Sequence, residues 1–302
     1  MVGDTILAIG MNTDVITAAY NNAEWCDIVC RTHGIFGAFH PHIWASRRRT
    51  PPNYPDAVTL DPDATAEHVL QVVDSATPGC SIKDSFARLN LLPSGFRILF
   101  EGDWILRNTE QPVQSGSDIR WRRVRDASAL PPWEVAWSGG EVATELFRPA
   151  LLDHAAVVVL GGYVQDRLVA GAILNRSGAA VGVSNLFTTL GDLGDAWPGC
   201  LAAVARAFPT LPIVGYESGD ALAAAHENGF TSIGRLRVWI KEDGDGGEVK
   251  GARPGLESQL NQSVDSQRLA ALGKPKRGGD GQSDSGAAAL ERDHSTRRTC
   301  VI

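Results

Sequence analysis

The chain has 302 residues, with 28 Lys and Arg against 35 Asp and Glu and a formal net charge of −7. That balance argues against nucleic acid as the main partner, because phosphate backbones demand clustered cations. Five cysteines without regular spacing imply no disulfide framework, and no run of about 18 apolar residues is available to cross a bilayer. With an N-terminus that lacks a leader pattern, these features set the expectation of a cytoplasmic protein off the membrane.

In chain order, a helix is expected from Asn12 to His33, capped by Asn12 or Thr13 and stopped by Gly34. Cys26, Cys30 and His33 fall on one face of it, with His40 and His42 following. That set suits zinc, but the same face continues through Ala19 and Ala23, so core packing is expected and no metal is assigned. Arg47-Arg48-Arg49, beside "TPPNYP", reads as a solvated loop. A short strand "DAVTL" follows, then the amphipathic helix "DATAEHVLQVVDSA", with Ala66, Val69, Leu70 and Val73 at helical spacing. "KDSFARLNLL" reads as a short helix with Lys83 and Asp84 at its start, either solvated or facing an interdomain cleft. "GFRILFEGDWIL" is a strand, and Asn108 to Ser117 a polar linker.

In the second half "DIRWRRV" is a strand and "ALPPWEVAW" a helix with proline in its first turn. "AAVVVLGGYV", "RLVAGAILNR" and "VGVSNLFT" form an antiparallel meander, its first turn near Gln165-Asp166. A helix "WPGCLAAVARAF", a buried strand "LPIVGY", a helix "DALAAAHENG" and a last strand "TSIGRLRVWIK" complete the folded part. Leu236, Val238 and Ile240 share one parity of that last strand and are expected to face the core. Everything from residue 243 is poor in large apolar side chains and is expected to be a disordered tail. The expected fold class is α+β, a mixed sheet flanked by helices, with halves 1–110 and 118–242.

The element order from Asp118 to Lys241, ending in a helix, Gly229-Phe230 and a strand, resembles the GNAT superfamily of acyl-CoA N-acyltransferases. The resemblance implies acyl transfer from acetyl-CoA or another acyl-CoA to a small-molecule or peptide amine. It also implies a gap between the fourth strand, Val181 to Thr188, and the fifth, "LPIVGYE", with the donor held by Phe187, Thr188, Gly191, Gly194 and Gly199. The diphosphate would sit on backbone N–H groups at a helix start near Trp197. Two departures stand out. No Lys or Arg lies between Arg176 and Arg206, whereas Asp192 and Asp195 occupy the loop, Asp195 being the expected helix N-cap. Ala225 occupies the position where many members carry a tyrosine acid; His226, one residue on, is the candidate substitute, and Glu217 at the end of the fifth strand the candidate base. A GNAT-fold binding module without acyl-CoA is the alternative. The first half carries an echo of the second, Gly95-Phe96 and Trp104-Ile105 against Gly229-Phe230 and Trp239-Ile240, which suggests a degenerate GNAT-like repeat.

Overall fold

The structure is a computed structural model that describes residues 2–113, 118–140, 142–241 and 298–299, with side chains for 13–113, 118–140 and 142–241. The expected tail otherwise lies outside the described residues, as does part of the expected linker. The first half contributes α1 (Val2–Thr32), β1 (Ala38–Phe39), β2 (Ile43–Ala45), β3 (Ala57–Thr59), α2 (Ala66–Leu70), β4 (Ser81–Asp84) and β5 (Phe96–Arg107). The second contributes β6 (Arg120–Arg123), α3 (Leu130–Ser138), α4 (Ala150–Asp153), β7 (Val157–Val164), β8 (Arg167–Ser177) and β9 (Ala180–Thr188). It continues through α5 (Leu193–Ala207), β10 (Ile213–Glu217), α6 (Gly219–Glu227) and β11 (Thr231–Lys241), and β12 (Arg298–Thr299) follows far along the chain.

Both halves enter one mixed sheet, ordered β1-β2-β3-β4-β11-β5-β10-β9-β8-β7-β6. At its centre β5 and β11 pair antiparallel from Phe96↔Lys241 to Leu106↔Thr231. Outward from that pair, both sides repeat the same pairings. The next strand (β10 or β4) is antiparallel, the following one (β9 or β3) parallel to it, and the two after that antiparallel again, with β6 adding one more antiparallel strand beyond β7. The Gly-Phe pairs that open β5 and β11 match in conformation. Gly95 and Gly229 are left-handed, φ 72° and 86°, and Phe96 and Phe230 are buried. The two echoing segments are therefore neighbours, each inserted beside the penultimate strand of the other half.

Helices cover both faces, because the strands are apolar on both. Val58, Val157, Val159, Ile173 and Phe187 pack with α1 and α3 through Trp25, Trp44 and Trp133. Residues of the opposite parity, Val158, Leu160, Ala172 and Leu174, pack against α5 and α6 around Trp197 and Phe230. Leu236 and Val238 are buried as expected, but Trp239 is buried on the other face, and Ile240 is only half-buried. Gln165 and Asp166 both take positive φ, 49° and 62°, the two-residue turn that matches strand twist.

Several expectations are corrected. α1 runs through Asn12 and Thr13 instead of starting there. α2 is a single turn held by a Thr65–His68 capping box. "KDSFARLNLL" is not a helix: Lys83 and Asp84 end β4, and the Asp84 carboxylate accepts from the Phe86 and Leu89 N–H groups, 3.4 and 2.8 Å, to turn the chain. Arg49 is not solvated; it pairs with buried Asp56 and donates to the Asp74 and Thr77 carbonyls, 3.1 and 2.8 Å. α5 starts at Leu193, one turn before Trp197, because Asp192 and not Asp195 is its N-cap, with Asp195 completing a capping box. Pro198 sits a turn inside α5.

The parallel pairs differ between halves. β3 and β4 pair at Ala57↔Ile82 and Val58↔Lys83, and the Ser85 N–H then donates to Thr59 Oγ1 at 2.7 Å, holding the strands together. β9 and β10 pair in register only at Val181↔Ile213 and Gly182↔Val214. At Gly182 the sheet meets α1: a Cβ there would collide with the side-chain oxygens of Asn21 and Asn175. Asn21 and Asn175 are buried and bonded to each other, Asn175 Nδ2 donating to Asn21 Oδ1 at 3.2 Å and Asn21 Nδ2 to the Asn175 carbonyl at 3.1 Å. Gly182→Ala is therefore expected to cost about 1–3 kcal/mol of stability by overpacking, read from the midpoint of urea unfolding.

Candidate functional site

Beyond Gly182 and Val214 the two strands diverge, and β9 is bent by a bulge. Its register with β8 slips between Gly171↔Phe187 and Ile173↔Ser184, and Asn185 takes φ 57°. Asparagine tolerates this left-handed geometry better than most residues. A small, partly open cavity lies in the gap, with room for about one water. Val183, Ser184, Asn185, Tyr216 and Glu217 line it from the strands, and Asn21 and Asn22 from α1.

The lining mixes apolar side chains such as Trp104 and Val214 with buried polar ones. Glu217, the expected base, ends β10 at the cavity and is 5% exposed. Asn185 is 2% exposed, and neither end of its amide has a partner among the described residues. Behind the lining lies Lys83, 1% exposed, whose Nζ donates to Asn22 Oδ1 at 2.8 Å and stands 4.1 Å above the Tyr216 ring. Among the described residues it forms no ion pair, and burial draws its pKa down to about 8. The Cys26 thiol is itself pushed up to about 11, chiefly by burial, so it is protonated packing and no nucleophile.

The residues expected to hold an acyl donor are distributed along the groove. Phe187 packs edge-on against Trp133, centroids 5.1 Å apart, and Thr188 Oγ1 donates to carbonyls of the adjoining loop and strand. β8 occupies one edge of β9 there, and on the other Phe187 and Thr188 pair antiparallel with β12. Gly191 has φ 62° and lies against the Asp195 carboxylate, and Gly194 is in the first turn of α5. Gly199 is not in the loop at all; it is inside α5, pressed against the Trp121 indole. The N-terminus of α5 is framed by Asp192 and Asp195. His226 is exposed on the last turn of α6, its Nε2 3.0 Å from Ser232 Oγ, and is absent from the cavity lining. Ala225 is fully buried.

Sequence reasoning thus located the gap, Glu217 and the acidic loop, but missed Asn21, Asn22, Asn185 and the place of Lys83. One signal was available: Asn21-Asn22 interrupts the stripe of Ala18, Ala19, Ala23 and Cys26 on α1. Among the described residues no group of three or more metal-ligating side chains is assembled, and Cys26 and Cys30 are core. No described helix is long and apolar enough to cross a membrane.

No protein-family model and no curated protein matches the sequence. Solved structures do match the fold. A GCN5-related N-acetyltransferase from Kribbella flavida aligns over 75% of this chain and 96% of its own, with TM-score 0.51 and 13% identity. An acetyltransferase of the GNAT family from Colwellia psychrerythraea aligns over 69% and 85%, with TM-score 0.42 and 13% identity. With the diverging parallel pair β9–β10 inside a mixed sheet covered by helices on both faces, this chain has the GNAT acetyltransferase fold.

Proposed function

We propose that the chain is an N-acyltransferase that moves an acetyl or other acyl group from an acyl-CoA to an amine, in the gap between β9 and β10. The observation that carries this is the parting of those strands after two residue pairs, around a buried polar cavity that holds Glu217. The edge of β9 at Phe187 and Thr188, which here pairs with the extended backbone of β12, suits an extended, amide-bearing arm in its place. A thioester bound there supplies an activated acyl carbon with a thiolate leaving group. Glu217 accepts the proton that the attacking amine sheds. With Ala225 buried and His226 turned to Ser232, α6 brings no acid to the cavity.

The diphosphate end fits less well. A helix N-terminus favours anions, but Asp192 and Asp195 frame this one. Each unneutralised carboxylate within about 4 Å of a phosphate costs about 1 kcal/mol in water and more near a protein surface. This observation favours a second reading, a GNAT-fold binding module that has given up acyl-CoA.

Calorimetry with acetyl-CoA and with S-acetylpantetheine, which lacks the diphosphate, separates the readings. Under the first, both bind, and Asp192→Asn, which keeps the N-cap, tightens acetyl-CoA about fivefold without affecting acetylpantetheine. Failure of both to bind at about millimolar concentration selects the second reading. Given turnover of an amine acceptor, Glu217→Gln is expected to lower kcat about 100-fold while the acetyl-CoA dissociation constant stays the same.

A further inference from the structure

Lys83 is the one group near the cavity that the acyl-transfer reading leaves without a task. Its ammonium is almost wholly buried, and among the described residues no carboxylate is paired with it. A buried, unpaired cation is costly, and a methionine of similar shape would fill the place without that cost. The fold therefore does not need the charge.

The orientation of Asn22 shows where the charge is directed. Facing an ammonium, the amide presents its oxygen, because two donors cannot bond each other. Its Nδ2 is then the end turned away from Lys83, on a side chain that lines the cavity. Asn185, whose buried amide has no partner among the described residues, lines the same space from β9. Two amide groups, one polarised by a cation behind it, form a site for an anionic oxygen. The space holds about one water, which is the size of one carboxylate oxygen whose remaining atoms stay in the open gap.

Glu217 lines the same cavity and opposes a purely anionic guest, as Lys83 opposes a purely cationic one. A ligand that carries an ammonium and a carboxylate on one carbon complements both groups. We propose that the gap binds an amino acid, or a molecule ending in one, with its carboxylate on Asn22 and Asn185 backed by Lys83 and its amine toward Glu217. This deepens the function proposed above by naming the class of the acceptor. It is tested as binding without any thioester, so that its failure and that of acyl transfer are read separately.

The full chain is titrated calorimetrically with the standard amino acids. For those that bind, the matched decarboxylated amine and deaminated acid follow. At least one amino acid is expected to saturate the chain at about millimolar concentration or below, with both analogues weaker by about tenfold or more. Lys83→Met is expected to weaken the amino acid about tenfold, to leave the amine as tight or tighter, and to unfold at a temperature no lower than the parent chain. Asn185→Gly, which keeps the left-handed backbone and removes the amide, is expected to weaken the amino acid alone and serves in its own right should Lys83→Met not fold. The proposal is overturned if no amino acid binds, if the amine binds as tightly as the amino acid, or if either variant retains the affinity of the parent.

Discussion

The antiparallel pairing of β5 with β11 holds the molecule together. Each of these strands belongs by sequence to one half and lies beside the penultimate strand of the other, β5 on β10 and β11 on β4. The pairing spans nearly the full length of both strands, interrupted by two register shifts, and its side chains feed the cores on both faces: Trp104, Leu236 and Val238 under α1, Phe96 and Trp239 under α2. Neither half has a complete sheet alone. The gap between β9 and β10 depends on this arrangement, because β10 is held from its far side by five paired residues of β5 while it leaves β9. A strand supported on one edge can part from its neighbour on the other.

Much of this was legible in the residues. The meander β7–β8–β9, the helix-strand-helix-strand ending and the Gly229-Phe230 corner follow from periodicity and from the left-handed glycine, all local signals. The echo between Gly95-Phe96 and Gly229-Phe230 was visible too, but its meaning was not, since pairing between β5 and β11 is a long-range fact without a local signature. The errors were of one kind. Pro198 drew the start of α5 one turn late, because proline favours the first turn, whereas the Asp192–Asp195 capping box set the true start. Lys83-Asp84 resembled a solvated helix start, because charged residues are seldom buried, yet β4 is an interior strand with β3 and β11 on its two sides.

The candidate site was legible in its frame and not in its lining. Strand order pointed to the gap and to Glu217. Asn21, Asn22 and Lys83, which add to the polar groups of the gap, come from α1 and β4, remote in sequence from β9 and β10. Asn22, Lys83 and Tyr216 form a chain of contacts across three elements and both halves, and only the shared sheet brings them together. His226 and Gly199 show the reverse: both looked well placed along the chain, but one is bonded to Ser232 at the surface and the other is wedged beneath Trp121.

The hydrogen bond from Ser85 to Thr59 bears on how the two wings of the sheet differ. It sutures the β3–β4 seam, whereas the equivalent β9–β10 seam pairs over two residues only, so under the proposed function one polypeptide carries one berth. The sutured wing still touches the other seam, because Lys83 of β4 stands over the ring of Tyr216 on β10, and β4 and β10 hold equivalent places on the two sides of the sheet.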